Sequence, residues 1–167
     1  MTDAEVFEKL KDWAKVFGYD ILEVAFAEGD FPEGLEKGTR GFFAKGTLNS
    51  PGWIWLRPGL PIEEKVEVLA HEMGHMGLHL LGVEPYQKLS HEPTASLFAK
   101  CLVAVIREDF ENPMFKIAGI YTLLKEFLEL LKAKIDRTSK NLAMMEVAYL
   151  RWKKEVEGKG TTEGDRG

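Results

Sequence analysis

The chain has 167 residues, of which 45% are hydrophobic and 29% are charged, and its formal net charge is −5. A chain of this length can bury one sizeable hydrophobic core, so we expect a single domain. The net negative charge provides no broad positive field, which argues against direct binding of nucleic acid or of an anionic membrane.

The first third of the sequence predicts one helix and three strands. Thr2 and Glu5 have the spacing of a capping box, and apolar residues then recur at helical intervals as far as Gly18. Three short β-prone runs follow, separated by segments rich in glycine, proline and small polar residues: 21–26, 41–47 and 53–56. We expect these runs to form a small, mostly antiparallel sheet.

The middle of the sequence predicts two long helices. Pro61 suits the first position of a helix that runs to about Leu81, and Gly82 suits its C-terminal stop. A second helix can begin at Ser90 and run to about Arg107. The two helices would form an antiparallel hairpin across the turn between them.

The C-terminal part predicts two further helices, one that starts after Asn112 and one that runs from about Thr138 to Gly158. Residues 158–167 are small, polar and rich in glycine, so we expect a disordered tail. The expected organisation is one α+β domain with a core and a C-terminal helical pair: 1–157 for the domain, 1–110 for the core and 113–157 for the pair.

His71, Glu72 and His75 form a His-Glu-x-x-His motif inside the helix that is predicted after the sheet. Residues four apart project from nearly the same face of a helix, so the two imidazoles can share one metal ion. Zinc suits such a site because it binds imidazole nitrogen and accepts three protein ligands with one position open. Glu72 lies off the ligand line, where its carboxylate can accept a proton from a water molecule that the metal activates. The motif therefore predicts a catalytic site for one zinc ion.

The third ligand must come from a second element, and we predict Glu92. It lies 17 residues after His75, near the start of the next helix, so the helical hairpin would return it to the metal. His91 is the first alternative. Three other acidic residues are further candidates: Glu84, Glu108 and Asp109. His79 continues the histidine series, but it lies about 12 Å along the helix from His71, too far for one ion to bind both.

The motif helix and its trailing histidine are followed by a Glu-x-x-Ala-x-x-Phe-Ala pattern at Glu92, Ala95, Phe98 and Ala99. On these two segments the chain resembles the ImmA/IrrE family of metallopeptidases, over roughly residues 18–102. The resemblance implies that Glu92 is a zinc ligand, and it implies a cytoplasmic protease of bacteria or mobile elements that cleaves DNA-binding repressors. The part before the sheet is one helix, too short for a helix-turn-helix module, so a repressor would be a separate chain.

The expected protein is a gluzincin-like zinc metallopeptidase with a zincin-like fold, in which Glu72 is the catalytic base. We expect it in the cytoplasm, because Cys101 is the single cysteine and the acidic N-terminus does not look like a signal peptide. One alternative is a zinc-binding regulatory protein that sequesters a partner without cleaving it, and another is a metal-free structural or toxin–antitoxin module. Four residues are candidates for stabilising an oxyanion: Tyr86, Tyr121, His79 and His91.

Overall fold

The structure is a computed structural model, and it describes most of the chain. The described residues are 1–27, 30, 32, 35–36, 38–47, 50–83, 88–109, 111, 118–138 and 149–155, with the backbone alone at 88–90, 118–119 and 137–138. Within them the protein has the predicted α+β architecture, with a small sheet and long helices. In the described part of the chain, no helix is long and apolar enough to cross a bilayer.

Helix α1 covers Asp3–Val16 and begins with the predicted capping box. The backbone N–H of Glu5 donates to Thr2 Oγ1 over 3.3 Å, and the backbone N–H of Thr2 donates to the Glu5 carboxylate over 2.7 Å. These bonds fix the start of the helix because they satisfy N–H groups that a first turn leaves without partners. The helix ends before Gly18, whose φ of +82° favours glycine.

Three short strands form the sheet, in the order β1-β3-β2. They are β1 (Asp20–Leu22), β2 (Gly41–Ala44) and β3 (Trp53–Leu56). Strand β3 pairs parallel to β1 and antiparallel to β2, so the sheet is mixed, and the prediction of a mostly antiparallel sheet is wrong. The physical reason is the long connection at 23–40, which allows β1 to lie on the far side of β3 instead of forming a hairpin with β2. Strand β2 is therefore an edge strand.

The two long helices of the middle region are present. Helix α2 covers Ile62–Leu80, with Pro61 as its N-cap, and the chain leaves it through Gly82 at a φ of +72°. Helix α3 covers Lys88–Arg107 and so begins two residues before the predicted start. Helix α2 lies at the centre of the molecule, where it contacts α1, α3, β2 and β3. The His-Glu-x-x-His motif is thus on the helix that packs against most of the other elements.

Helix α4 covers Ala118–Thr138, and residues 149–155 are also helical and are labelled α5. The predicted helix start after Asn112 and the predicted tail at 158–167 lie outside the described residues. Both C-terminal helices contribute to the hydrophobic core, and five aromatic side chains in the core are almost completely buried: Trp13, Phe98, Phe127, Tyr149 and Trp152.

Candidate metal centre

Helix α2 places His71 and His75 one turn apart, with their ring Nε2 atoms facing each other. The two Nε2 atoms are 3.1 Å apart, and the ring planes meet at 86°. Burial holds the pKa of His75 below its ordinary value. A lowered pKa keeps this imidazole neutral, which is the form that binds a metal ion.

Helix α3 brings the carboxylate of Glu92 to the same point. Its Oε2 lies 3.2 Å from His71 Nε2, and its Oε1 lies 3.3 Å from His75 Nε2. One ligand atom from each of the three residues can be chosen so that all lie within 4.8 Å of one another. These are the three metal ligands that the sequence predicts, and the structure brings them together from two helices.

The two imidazoles are spaced as two ligands of one zinc ion would be. Zinc binds imidazole nitrogen at about 2.0–2.1 Å, so two ligand atoms at tetrahedral positions lie about 3.3–3.4 Å apart. The two Nε2 atoms are 3.1 Å apart, and each of them faces a different oxygen of the Glu92 carboxylate. Glu92 is 66% exposed, so the site is open to solvent on one side. An open side is typical of catalytic rather than structural zinc sites.

A close approach of α2 and α3 allows Glu92 to reach the histidines. A Cβ atom built on Gly74 would lie only 2.5 Å from the carbonyl oxygen of Ala95. The backbones of the two helices therefore touch where Gly74 of α2 meets Ala95 of α3. Gly74 lies between the two histidines, and Ala95 lies three residues after Glu92. Any larger residue at Gly74 would push α3, and Glu92 with it, away from the ligands on α2.

Glu72 is the one buried polar or charged residue in the described part of the chain, with 7% of its surface exposed. Burial raises the pKa of its carboxyl to about 8, and the negative charge of Glu92 acts in the same direction. The backbone N–H of Phe43, on the edge strand β2, donates a hydrogen bond to this carboxylate and opposes the shift. Glu72 is thus a carboxyl group whose protonation changes near neutral pH in the metal-free site.

In the described part of the chain no strand pairs with the outer edge of β2, and this edge faces Glu72. The N–H of Arg57 donates to the carbonyl of Arg40 over 2.8 Å, which marks this pair as a hydrogen-bonded pair of the ladder. Hydrogen-bonded pairs alternate along antiparallel strands, so Gly41 and Phe43 direct their N–H and C=O groups away from β3. A Cβ atom on Gly41 would lie 2.3 Å from Val68 Cγ1, and glycine therefore allows this edge to lie close to α2.

Two cavities meet at the centre. The larger one, about 1050 Å³, extends from His71 along α2 and α3 as far as Arg107. The smaller one, about 600 Å³, lies beside β2 and reaches His79. Gly41, His71 and Glu72 line both cavities. His71 and Glu72 therefore lie at the junction of two spaces rather than at the end of a closed pocket.

The other predicted candidates lie elsewhere. His91 has its Nδ1 3.0 Å from Nδ1 of His75, so it lies behind that ring and away from the shared Nε2 side. His79 packs near Phe43, with ring centroids 5.9 Å apart.

Glu108 pairs with Arg151, and Tyr121 packs near Trp152. Asp109 lines the larger cavity with Arg107, at the far end of α3. Glu84 and Tyr86 lie outside the described residues.

Three residues at the site were not singled out from the sequence. Ser96 places its Oγ 3.2 Å from His71 Nδ1, Phe43 donates its backbone N–H to Glu72, and Gly41 allows β2 to approach α2. A signal was present only for Ser96, which lies four residues after Glu92 and so on the same face of a helix. The other two contacts depend on how the sheet packs against α2.

Comparison with protein-family models, with curated proteins and with solved structures found no match for this chain.

Proposed function

We propose that this chain is a zinc-dependent metallopeptidase with a zincin-like fold. The observation that carries the proposal is the convergence of His71, His75 and Glu92 within one group of ligand atoms, beside the buried carboxyl of Glu72. Two imidazoles and one carboxylate form a donor set that zinc favours, and one ligand atom from each residue lies within 4.8 Å of the other two. The combination supplies both a metal site and an acid–base group.

The residues of this chain divide the chemistry between them. A zinc ion in such a site supplies a Lewis acid that lowers the pKa of water and polarises a carbonyl group. Glu72 accepts a proton from the attacking water and later donates it to the leaving amine. The hydrogen bond from Phe43 holds the Glu72 carboxylate at the edge of β2, so the base is positioned next to any chain that lies along that strand.

The shape of the site favours a polypeptide that passes through it. An extended chain can add to the outer edge of a sheet through backbone hydrogen bonds, and among the described strands β2 has such an outer edge. The two cavities on either side of His71 provide space for side chains before and after the reacting bond. We therefore propose hydrolysis of an internal peptide bond rather than removal of a terminal residue.

The resemblance to the ImmA/IrrE family suggests the substrate. In this proposal the enzyme is gluzincin-like, acts in the cytoplasm and cleaves a DNA-binding repressor or a similar regulatory protein on a separate chain. The resemblance alone supports this part of the proposal, because no described contact in the structure indicates a partner.

The test compares zinc content and proteolysis in wild type and in two matched variants. Glu72→Gln removes the proposed base, whereas Glu126→Gln makes the same change at an exposed position on α4. Purified helix-turn-helix repressors and an unfolded polypeptide serve as substrates, with mass spectrometry to locate cleavage. We expect about one zinc per chain in all three proteins. Cleavage should fall roughly 10²- to 10⁴-fold in Glu72→Gln alone.

Two results would contradict the proposal. Wild type that binds no zinc after reconstitution would exclude the metal centre. Wild type that binds zinc and a repressor, but leaves it intact, would favour a regulatory protein that sequesters its partner. In that case binding should be the same in Glu72→Gln.

A further inference from the structure

The two ring nitrogens of His71 face different partners. Nε2 faces His75 and Glu92, at 3.1 and 3.2 Å. Nδ1 lies 3.2 Å from the Oγ atom of Ser96. The ring is therefore contacted at both nitrogens, and Glu92 and Ser96 both lie on α3.

The spacing on α3 explains how one helix makes both contacts. Ser96 follows Glu92 by four residues, so the two side chains project from the same face, one turn apart. The backbone contact between Gly74 and Ala95 places this turn of α3 directly against the turn of α2 that carries the histidines. A short side chain such as serine can reach His71 because the helices are so close.

The chemistry of imidazole gives this contact a consequence for metal binding. Nε2 can bind a cation only when it carries no proton, so the single proton of the neutral ring must be on Nδ1. In that state Nδ1–H donates to Ser96 Oγ. Hydrogen bonds of this kind fix the tautomer and the orientation of a histidine ligand, and their loss typically weakens metal binding by about 10- to 100-fold.

We propose that Ser96 is a positioning residue for the metal centre, which holds His71 with Nε2 directed at the ion. The inference rests on the proposed function only through the metal site. It assigns α3 two tasks, since the helix supplies the third ligand through Glu92 and orients the first ligand through Ser96. A neutral hydroxyl orients the ring without adding a third carboxylate beside Glu72 and Glu92.

The test measures zinc affinity, by competition with a chelator, for wild type, Ser96→Ala and Ser96→Thr. Ser96→Ala removes the acceptor and keeps a good helix former, whereas Ser96→Thr keeps the Oγ atom. We expect Ser96→Ala to bind zinc roughly 10- to 100-fold more weakly than wild type. Ser96→Thr should bind within about threefold of wild type, which is roughly 0.65 kcal/mol. Both metal-free variants should melt close to metal-free wild type.

The outcomes separate this inference from the metal site itself. If wild type binds zinc and Ser96→Ala binds it equally well, Ser96 does not position His71, and the metal site stands without it. If Ser96→Thr is as weak as Ser96→Ala while both remain folded, packing rather than the hydroxyl matters, and the inference is wrong. If wild type binds no zinc, the metal site and the inference both fail.

Discussion

At the level of single residues, His75 has two neighbours that could complete a metal site. Glu92 faces its Nε2 atom and His91 faces its Nδ1 atom. Only the Nε2 side also contains a ring nitrogen of His71, so Glu92 is the better placed of the two as the proposed ligand, and His91 lies behind the site. The Nδ1 of His91 is placed to accept a hydrogen bond from the N–H that His75 carries at Nδ1 when its Nε2 binds a metal.

Glu92→Ala and His91→Ala should therefore have different effects on zinc content. We expect Glu92→Ala to lose stoichiometric zinc, because the ion keeps only two protein ligands. His91→Ala should still bind about one zinc per chain, with weaker affinity because His75 loses a hydrogen-bond partner. Elemental analysis after dialysis gives the stoichiometry. Retention of zinc in Glu92→Ala and its loss in His91→Ala would show that His91, and not Glu92, is the third ligand.

Cys101 is buried in the core, and we expect its thiol to make the stability of the protein depend on pH. Burial raises the pKa of its thiol from 9.0 to about 11. Because the folded pKa is above the unfolded one, this contribution to stability is complete below pH 9 and is lost as the pH rises through 11. The difference corresponds to roughly 3 kcal/mol.

Denaturant unfolding at several pH values tests this prediction. Between pH 8 and pH 11, wild type should lose roughly 2 kcal/mol more stability than Cys101→Ala, which has no thiol to titrate. At pH 8 the thiol should also react slowly with a thiol reagent in the folded protein and rapidly in the protein unfolded by urea. Equal pH profiles for the two proteins would show that the thiol ionises normally in the folded state.

At the level of elements, the α2–α3 contact determines where the third ligand lies. Gly74→Ala would place a methyl group 2.5 Å from a backbone oxygen, whereas a methyl group at Gly77 would meet ring atoms of Phe98 at 3.0 Å. Both changes gain up to about 1 kcal/mol of helix propensity. We expect Gly74→Ala to destabilise the protein by about 1–3 kcal/mol through overpacking and to weaken zinc binding.

Gly77→Ala is the matched control, with an expected change within about 1 kcal/mol, because helix propensity offsets its milder clash. Thermal unfolding of the metal-free proteins and zinc competition give the two quantities. Normal stability and zinc affinity in Gly74→Ala would mean that α3 can move away without loss of the site.

At the level of the whole molecule, the proposed metal ligands lie on the central helix and on α3, so zinc should stabilise the folded chain. A ligand that binds only the folded state adds about 2.7 kcal/mol at 100 times its Kd. For a chain of this size such a gain raises the melting temperature by roughly 5–10 °C. Calorimetry with zinc and with a chelator should show this difference in wild type. His75→Ala should show little, and an equal shift in that variant would indicate zinc binding elsewhere.

The features that depend on local spacing can be predicted from the sequence. The capping box at Thr2, the glycine stop at Gly82 and the course of α2 and α3 follow from short-range rules, and the structure agrees with them. The placement of His71 and His75 on one face follows from the helical repeat alone. Glu92 was predicted because a helical hairpin returns the chain, and the resemblance to a family supported the same residue.

The features that depend on packing between distant elements are seen only in the folded structure. Strand β1 pairs with β3 rather than with its neighbour β2, which no local pattern could indicate. The contacts of Phe43 with Glu72 and of Ser96 with His71 exist because the sheet and α3 pack closely on α2 at Gly41 and Gly74. Glycine in a sequence does not reveal what approaches it, and the backbone that fills that space comes from another part of the chain.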